Sequence, residues 1–196
     1  VVTNLSYNSN KVKLLFAGKY CKNLYSEKFK KYHCTYIDEY DNYDKYIEDT
    51  DIIISYGYGK IFKADALRKK IFNIHPSILP YGRGIYSIVW SIYYNHPIGY
   101  TIYQINSSRI DEGYIYSSKK INYSSNNTFK ELFYNITKSA EKDFILNFNE
   151  YFKIQSTKEI KDEKNLFYKS KKDSKIISKY LKDGWDTKIK DFLFFT

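Results

Sequence analysis

The first 75 residues alternate between short apolar runs and polar segments. The apolar runs, which are rich in β-branched and aromatic side chains, lie at 11–17, 34–37, 51–55 and 71–75. Runs of this length and composition are typical of buried parallel strands. The polar segments between them predict helices at 20–31, 41–47 and 64–70. Alternating strands and helices favour right-handed crossovers. The expected fold class is therefore α/β, a Rossmann-like mostly parallel sheet with helices on both faces.

The pattern changes after residue 75. A helix is predicted over 85–94, and extended stretches over 99–105 and 114–121 are candidate late strands. Thr128-Phe-Lys-Glu131 has the form of a capping box, in which the hydroxyl and the carboxylate each satisfy a backbone N–H at a helix start. A long helix is expected to follow, because apolar residues recur there at near-helical spacing. These residues are Phe129, Phe133, Ile136, Ala140, Phe144, Phe148 and Phe152.

The chain becomes Lys-rich beyond residue 152. The pattern there predicts an irregular tail with a final short helix near 185–194. A length of 196 residues suits one domain of ordinary size. We therefore expect a main domain over 1–152 and a short C-terminal appendage over 153–196.

Composition limits the classes to which the chain can belong. Aromatic residues make up 19% of it, which indicates a globular chain rather than a disordered one. The sequence contains neither an apolar run of membrane-spanning length nor a signal-peptide layout at its start, so we expect a soluble cytoplasmic protein with no membrane partner. Cys21 and Cys34 are too few for a disulfide framework and lack metal-binding spacing. Both are expected to be ordinary thiols.

The formal net charge is +10. A basic balance favours an anionic partner such as a nucleotide, a phosphate-bearing sugar or nucleic acid. The lysines are spread along the whole chain, however, and a solvated lysine surface explains the same excess. Charge alone therefore leaves the partner open.

Residues with special backbone geometry gather between 57 and 113. All three prolines, six of the eight glycines and two of the three histidines lie there, and such clusters mark shaped loops that carry sites. Asn73 and His75 are two residues apart, so on a strand their side chains point to the same face. Pro76 ends that strand. The pair is thus expected at the carboxyl edge of the sheet, where open α/β sheets bind ligands.

These residues belong to a longer string, Asn73-Ile-His-Pro-Ser-Ile-Leu-Pro80, which Tyr81-Gly-Arg-Gly84 continues. Gly99-Tyr-Thr-Ile-Tyr103 and Ile110-Asp-Glu-Gly113 follow. Together they resemble the folate-dependent formyltransferase family, whose members carry an Asn-x-His-Pro-Ser-x-Leu-Pro loop, a Gly-x-Thr-x-His strand and an Asp-x-Gly loop. Tyr103 is a departure, because the family usually has histidine there.

The resemblance implies a one-carbon transferase that uses N10-formyltetrahydrofolate and no metal. It also implies three catalytic residues. Asn73 would donate to a developing oxyanion, His75 would relay a proton, and Asp111 would orient the imidazole. Without the resemblance, Asp111 would be interpreted as a loop residue that caps its own turn before Gly113.

The resemblance also implies two sets of binding residues. Those expected to contact the folate are Gly59, Lys60, Ile61, Phe62, Ser108, Arg109 and Ile110. Those expected to contact the acceptor substrate are Tyr81, Gly82, Arg83 and Gly84. The planar guanidinium of Arg83 suits an anionic group, although the residues alone fit a surface arginine nearly as well.

Three acceptors are typical of the family: glycinamide ribonucleotide, the aminoacyl end of initiator tRNA, and an amino sugar on a nucleotide. The segment Ala17-Gly-Lys-Tyr-Cys-Lys22 lacks the phosphate loop of the purine enzymes, and the long helix leaves no room for the basic domain of the tRNA enzymes. The resemblance therefore favours a sugar N-formyltransferase, with a dTDP-linked amino-deoxysugar as partner for surface polysaccharide or O-antigen synthesis. Such enzymes are commonly dimers, and no nucleic acid partner is expected. A non-catalytic nucleotide-binding module on the same fold is the alternative from another class.

Overall fold

The computed structural model describes residues 12–153, 158–160 and 171–195. Contacts between residues divide the chain into two compact units. The described part of the first unit comprises residues 12–73 and 105–108, and the second comprises 74–104 and the described residues from 109 onward. The predicted boundary at residue 152 stays a prediction.

The first unit contains four parallel strands, in the order β2-β1-β3-β4. Their bounds are Lys13–Ala17 (β1), His33–Ile37 (β2), Ile52–Ser55 (β3) and Lys70–His75 (β4, whose last two residues belong to the second unit). Each apolar run in the sequence coincides with one of these strands, and each strand is wholly or partly buried. Ser55 at the end of β3 is in register with Asn73, and β4 continues two residues further to His75. The expected α/β fold class is confirmed.

The segments between these strands form 3₁₀ turns instead of the predicted α-helices. The turns span Cys21–Leu24, Glu27–Phe29, Tyr43–Tyr46 and Ala66–Arg68. The segments are short, and isolated short helices are marginal because nucleation is costly. At the third turn the Asn42 side chain also accepts a hydrogen bond from the Asp44 N–H at 3.1 Å, a local alternative to helical pairing. The buried rings of Tyr43 and Phe62 complete the core here.

Both thiols lie in the first unit, and the prediction that they are ordinary is confirmed. Cys21 is buried and Cys34 partly buried. Burial raises the pKa of the Cys21 thiol to about 12 and also raises the pKa of Cys34. Both therefore stay protonated near neutral pH, which makes them poor nucleophiles.

In the second unit the strand order is β5-β6-β7. Its elements are α1 (Ser87–Tyr93), β5 (Gly99–Ile105, whose last residue belongs to the first unit), β6 (Gly113–Lys120), α2 (Phe129–Lys153), β7 (Lys158–Glu159), α3 (Lys171–Ile177) and α4 (Ile189–Phe195). β7 is antiparallel to β6. The elements predicted between 85 and 153 are thus confirmed.

The capping box forms as the sequence predicts. The Glu131 carboxylate accepts from the Thr128 N–H at 2.9 Å, and the Thr128 hydroxyl accepts from the Glu131 N–H at 3.1 Å. The backbone hydrogen bond from Thr128 is the main cause that lowers the pKa of Glu131.

None of the described helices, including the long α2 that begins here, has the length and apolarity needed to cross a membrane.

The described C-terminal residues pack onto the second unit. The Trp185 ring stacks on Tyr86, with centroids 5.7 Å apart, and meets Phe133 edge-on. Phe192 packs against Phe129 at the start of α2. The predicted irregular tail therefore includes ordered helices, while residues 154–157 and 161–170 lie outside the described part.

A buried carboxylate links α2 to the sheet. Asp143 accepts hydrogen bonds from Tyr100 on β5 at 2.9 Å and from Ser117 on β6 at 2.6 Å. Tyr151 and Asn147 on its own helix donate to it at 3.0 and 2.6 Å, and the Lys119 ammonium lies 3.1 Å away. Each oxygen thus has at least two donors, which satisfies a charge that would otherwise be costly to bury.

Candidate active site

His75 ends β4 and lies within the second unit, largely buried. Its Nε2 lies 2.9 Å from the carbonyl oxygen of Gly82. Because a carbonyl oxygen only accepts, this contact places a proton on Nε2. Ser77 braces the same loop by donating to the carbonyls of Tyr81, at 2.8 Å, and Gly82, at 3.2 Å. The imidazole is therefore held by the loop that follows its own strand.

The loop can only close in this way with glycine at residue 82. Its φ is +63°, and a Cβ there would lie 2.6 Å from Ser91 Oγ and 2.9 Å from the backbone oxygen of Ser87. Both neighbours belong to α1. Any side chain at 82 would push the loop off α1 and move the carbonyl that holds His75.

Asp111 lies beside the imidazole. Its Oδ1 is 3.6 Å from His75 Nδ1, and both side chains are largely buried. The Gly84 N–H donates to Oδ2 at 2.6 Å, and the Tyr103 hydroxyl donates to Oδ1 at 3.0 Å. Asp111 has a φ of +52°, a conformation that aspartate tolerates better than most residues. The structure thus brings together two of the three predicted catalytic residues.

Gly113 allows the Asp111 loop to turn directly into β6. A Cβ on Gly113 would lie 1.8 Å from the backbone oxygen of Gln104 on β5, and its φ is +151°. Both the short distance to the Gln104 oxygen and the positive φ of Gly113 exclude a side chain at this position. The Asp-x-Gly pattern therefore has a steric reason in this chain, separate from the chemistry of the carboxylate.

Asn73 precedes His75 by two residues on β4 and is half-buried. It belongs to the first unit. The Cα pairing with Ser55 places it level with the end of β3.

Arg83 differs from both sequence expectations. It is 5% exposed, so it is not a surface arginine. Its Nη2 lies 2.8 Å from Glu112 Oε1, and Nε and Nη2 donate to the Ile110 carbonyl at 2.9 and 2.6 Å. Because Glu112 already neutralises the guanidinium, these contacts favour a positioning role over an anion-binding one. They join the loops that carry Gly84 and Asp111.

The other residues predicted to contact the acceptor divide into two groups. Gly82 and Gly84 act through their backbones, which hold His75 and Asp111. Tyr81 is half-buried, and its ring packs 4.6 Å from that of His96. Burial lowers the pKa of His96, which suits a ring that packs between aromatic neighbours. The contact of the Tyr81 side chain with the acceptor stays a prediction.

The residues predicted to contact the folate also divide. Gly59, Lys60 and Ile61 are exposed after β3, whereas Phe62 is 4% exposed and belongs to the core of the first unit. The Phe62 side chain is therefore a structural anchor, and its contact with the folate stays a prediction. Ser108 is exposed, while Arg109 pairs with Glu112 at 2.6 Å and the Ile110 carbonyl accepts from Arg83.

Sequence reasoning missed Glu112, which is 3% exposed and lies between two arginines. The available signal was an acidic residue beside Asp111 and an arginine between two glycines.

Within the described residues, no group of three or more histidine, cysteine or carboxylate side chains is placed to hold a metal ion.

The comparison with known families decides the class of this site. Residues 23–147 match the family model described as formyl transferase. The chain belongs to the formyl transferase family. It is a one-carbon transferase, as the motif string around His75 and the loop around Asp111 predicted.

Solved formyltransferases share the fold. PseJ from Anoxybacillus kamchatkensis is 28% identical, with a TM-score of 0.79 over 92% of this chain and 97% of that chain. A 4-N formyltransferase from Francisella tularensis is 20% identical, with a TM-score of 0.66 over 87% of this chain and 80% of the other. WlaRD, a sugar 3N-formyltransferase, is 23% identical, with a TM-score of 0.63 over 83% and 71%.

The Arg83→Lys variant separates positioning from anion binding. Lysine keeps the charge but cannot bind Ile110 and Glu112 with one planar fork. We expect kcat for formyl transfer to fall about tenfold, the effect of one lost hydrogen bond to a charged group, with KM for the acceptor within about twofold. Steady-state kinetics measure both. Arg68→Lys on an exposed turn is the matched control, and a raised KM with unchanged kcat would restore the anion-binding role.

Proposed function

We propose that this formyltransferase transfers the formyl group of N10-formyltetrahydrofolate to the amine of a nucleotide-linked amino sugar. The observation that carries the proposal is the nearly end-to-end match with PseJ, whose crystal structure holds a UDP-linked 4-formamido sugar and tetrahydrofolate. WlaRD, crystallised with dTDP and 5-N-formyl-tetrahydrofolate, supports the same pairing of a nucleotide with a folate.

The proposed reaction forms a bond between the amine nitrogen and the formyl carbon. The bond between that carbon and the donor nitrogen breaks, and a proton passes from the amine to the released nitrogen. Negative charge develops on the formyl oxygen during the transfer. We assign Asn73 as the donor of a hydrogen bond to that oxygen, a role in which a preorganised amide is effective.

We assign His75 as the group that moves the proton. Its Nε2 holds a proton against the Gly82 carbonyl, so Nδ1 is the ring atom that accepts one from the amine. Asp111 Oδ1 lies 3.6 Å from Nδ1. The carboxylate therefore stabilises the imidazolium that results, and its other contacts keep it in place.

The segment after β3 fits the folate donor. Gly59, Lys60 and Ile61 are exposed. A Cβ on Gly59 would lie 2.4 Å from the Tyr40 ring, and the Gly59 N–H donates to the Glu39 carbonyl at 2.9 Å. The segment is thus held close to Tyr40 and anchored by Phe62, while its three exposed residues are accessible to a heterocycle. We retain these three residues and Ser108 as the proposed donor contacts.

The nucleotide of the acceptor is the finer part of the proposal. A dTDP-linked sugar for surface polysaccharide or O-antigen synthesis stays a prediction, and the sugar bound to PseJ makes a UDP-linked 4-amino-deoxysugar the competing acceptor. The segment 17–22 differs from the phosphate loop of purine enzymes, which argues against glycinamide ribonucleotide.

One assay tests these acceptors together. The protein is incubated with N10-formyltetrahydrofolate and UDP- or dTDP-linked amino sugars, with glycinamide ribonucleotide and methionyl-tRNA as comparison acceptors. We expect a nucleotide sugar to gain one carbonyl group by mass spectrometry and tetrahydrofolate to form in equal amount. Formylation of only the ribonucleotide or the tRNA would overturn the sugar acceptor, and no transfer to any acceptor would favour the binding module.

A further inference from the structure

Tyr103 has an unusual place for a phenol. It lies on β5 and is 1% exposed. Its hydroxyl donates to Asp111 Oδ1 at 3.0 Å, which gives the buried hydroxyl the partner that it requires. The edge of its ring lies 3.1 Å from where a Cβ of Gly113 would be. The ring is thus packed against the loop whose carboxylate it contacts.

The Tyr103 hydroxyl and the Gly84 N–H together fix both oxygens of Asp111. The hydroxyl binds Oδ1 and the N–H binds Oδ2. Rotation of the carboxylate about its Cβ–Cγ bond would break one or both contacts. Oδ1 is also the oxygen that faces His75 Nδ1, so the phenol holds the atom on which the proposed proton transfer depends.

We infer that Tyr103 is a positioning residue for formyl transfer, whose hydroxyl keeps Asp111 Oδ1 aimed at His75. This inference rests on the proposed function of the His75–Asp111 pair. Because the Tyr103 hydroxyl acts through Asp111, its effect is expected on the rate of the chemical step and not on the affinity for either substrate.

The chain offers a matched control for Tyr103 on the same strand. Tyr100 is also on β5, is 2% exposed, and donates its hydroxyl to the buried Asp143 at 2.9 Å. Asp143 has no part in the proposed chemistry. Tyr100→Phe and Tyr103→Phe each remove one buried phenol oxygen that is bonded to a carboxylate, so both are expected to lower Tm by similar amounts.

Steady-state kinetics separate a positioning role from a structural one. We expect Tyr103→Phe to lower kcat about tenfold with both KM values within about twofold, because a lost hydrogen bond to a charged group has about this effect. Tyr100→Phe should keep kcat within about twofold. Tyr103→His retains a ring N–H donor and should recover part of the loss. Unchanged kcat in a folded Tyr103→Phe protein overturns the inference, as does an equal loss in both phenylalanine variants.

A second measurement does not require turnover. Nitrogen-15 NMR of the three histidines, with His75 assigned from His75→Gln, reports the protonation and contacts of its ring. We expect the His75 signals to move in Tyr103→Phe and to stay in Tyr100→Phe. If no acceptor is formylated but these signals move as expected, the proposed function fails and the Tyr103 contact stands. Unmoved His75 signals in Tyr103→Phe overturn the contact, whatever the protein formylates.

Discussion

His75→Gln is expected to lower kcat for formyl transfer by about 100- to 10,000-fold, the range that general acid–base catalysis contributes. Glutamine can still donate a hydrogen bond to the Gly82 carbonyl, which His75 Nε2 meets at 2.9 Å. It cannot exchange a proton near neutral pH. The loop should therefore stay closed while proton transfer is lost. Single-turnover kinetics with saturating donor measure the chemical step directly.

Two controls make the His75 result interpretable. His33→Gln changes an exposed histidine at the start of β2 and should leave kcat unchanged. Tetrahydrofolate binding, followed by calorimetry, should be similar in wild type and His75→Gln. A glutamine variant that keeps more than about a tenth of wild-type kcat would show that His75 is not the group that moves the proton.

Asp143→Ala is expected to lower the free energy of unfolding by about 3–5 kcal/mol, because several buried or partly buried donors lose their acceptor at about 1–3 kcal/mol each. The alanine leaves the hydroxyls of Tyr100 and Ser117 without their acceptor and leaves the Lys119 ammonium without its partner. Urea unfolding followed by tryptophan fluorescence measures the loss, because Trp90 and Trp185 both lie in the second unit. Asp186→Asn is the control: its partner Lys130 and its own side chain are exposed, so about 1 kcal/mol or less is expected. A similar loss in both variants would contradict the prediction.

The same carboxylate gives stability a pH dependence of known sign. Burial alone would raise the pKa of Asp143, but hydrogen bonds from its neighbours outweigh burial and lower it below the ordinary 3.8. The ionised form therefore stabilises the fold fully above that value, and this stabilisation is lost as the pH falls through the depressed pKa. The difference in unfolding free energy between wild type and Asp143→Asn should shrink between about pH 7 and about pH 3. A difference that stays constant over this range would count against the lowered pKa.

The sequence predicted those features that depend on neighbouring residues. Apolar runs located β1 to β6, because a buried strand consists mostly of apolar residues that are adjacent in the sequence. The Thr128–Glu131 box located the start of α2, because both of its hydrogen bonds lie within four residues. The ordered strings around His75 and Asp111 predicted the family, since several motifs in sequence at a fixed spacing are specific.

Features that depend on distant partners could not be predicted in this way. Arg83 has the sequence context of a surface or ligand-binding residue, and its burial is explained by partners 27 and 29 positions later, the Ile110 carbonyl and the Glu112 carboxylate. Tyr103 was visible as a departure from the family, but its contact with Asp111 depends on how β5 meets the next loop. The 3₁₀ turns of the first unit were mistaken for helices because the segments are too short to offset the cost of helix nucleation, and at Tyr43–Tyr46 a side-chain hydrogen bond from Asp44 N–H to Asn42 also competes with helical pairing.

The left-handed backbone of Asp111 restricts how this site can evolve. Glutamate would preserve the negative charge, yet outside glycine, asparagine and aspartate this conformation costs roughly 1–2 kcal/mol. Asparagine and glycine adopt the left-handed backbone conformation readily but carry no negative charge. Substitution by glutamate is thus disfavoured by the backbone conformation, and substitution by asparagine or glycine by the loss of the negative charge. Asp111→Asn is therefore the best inactive variant for a crystal soaked with both substrates. Asparagine is the only neutral replacement that has the side-chain shape of aspartate and also accepts the left-handed backbone of the turn.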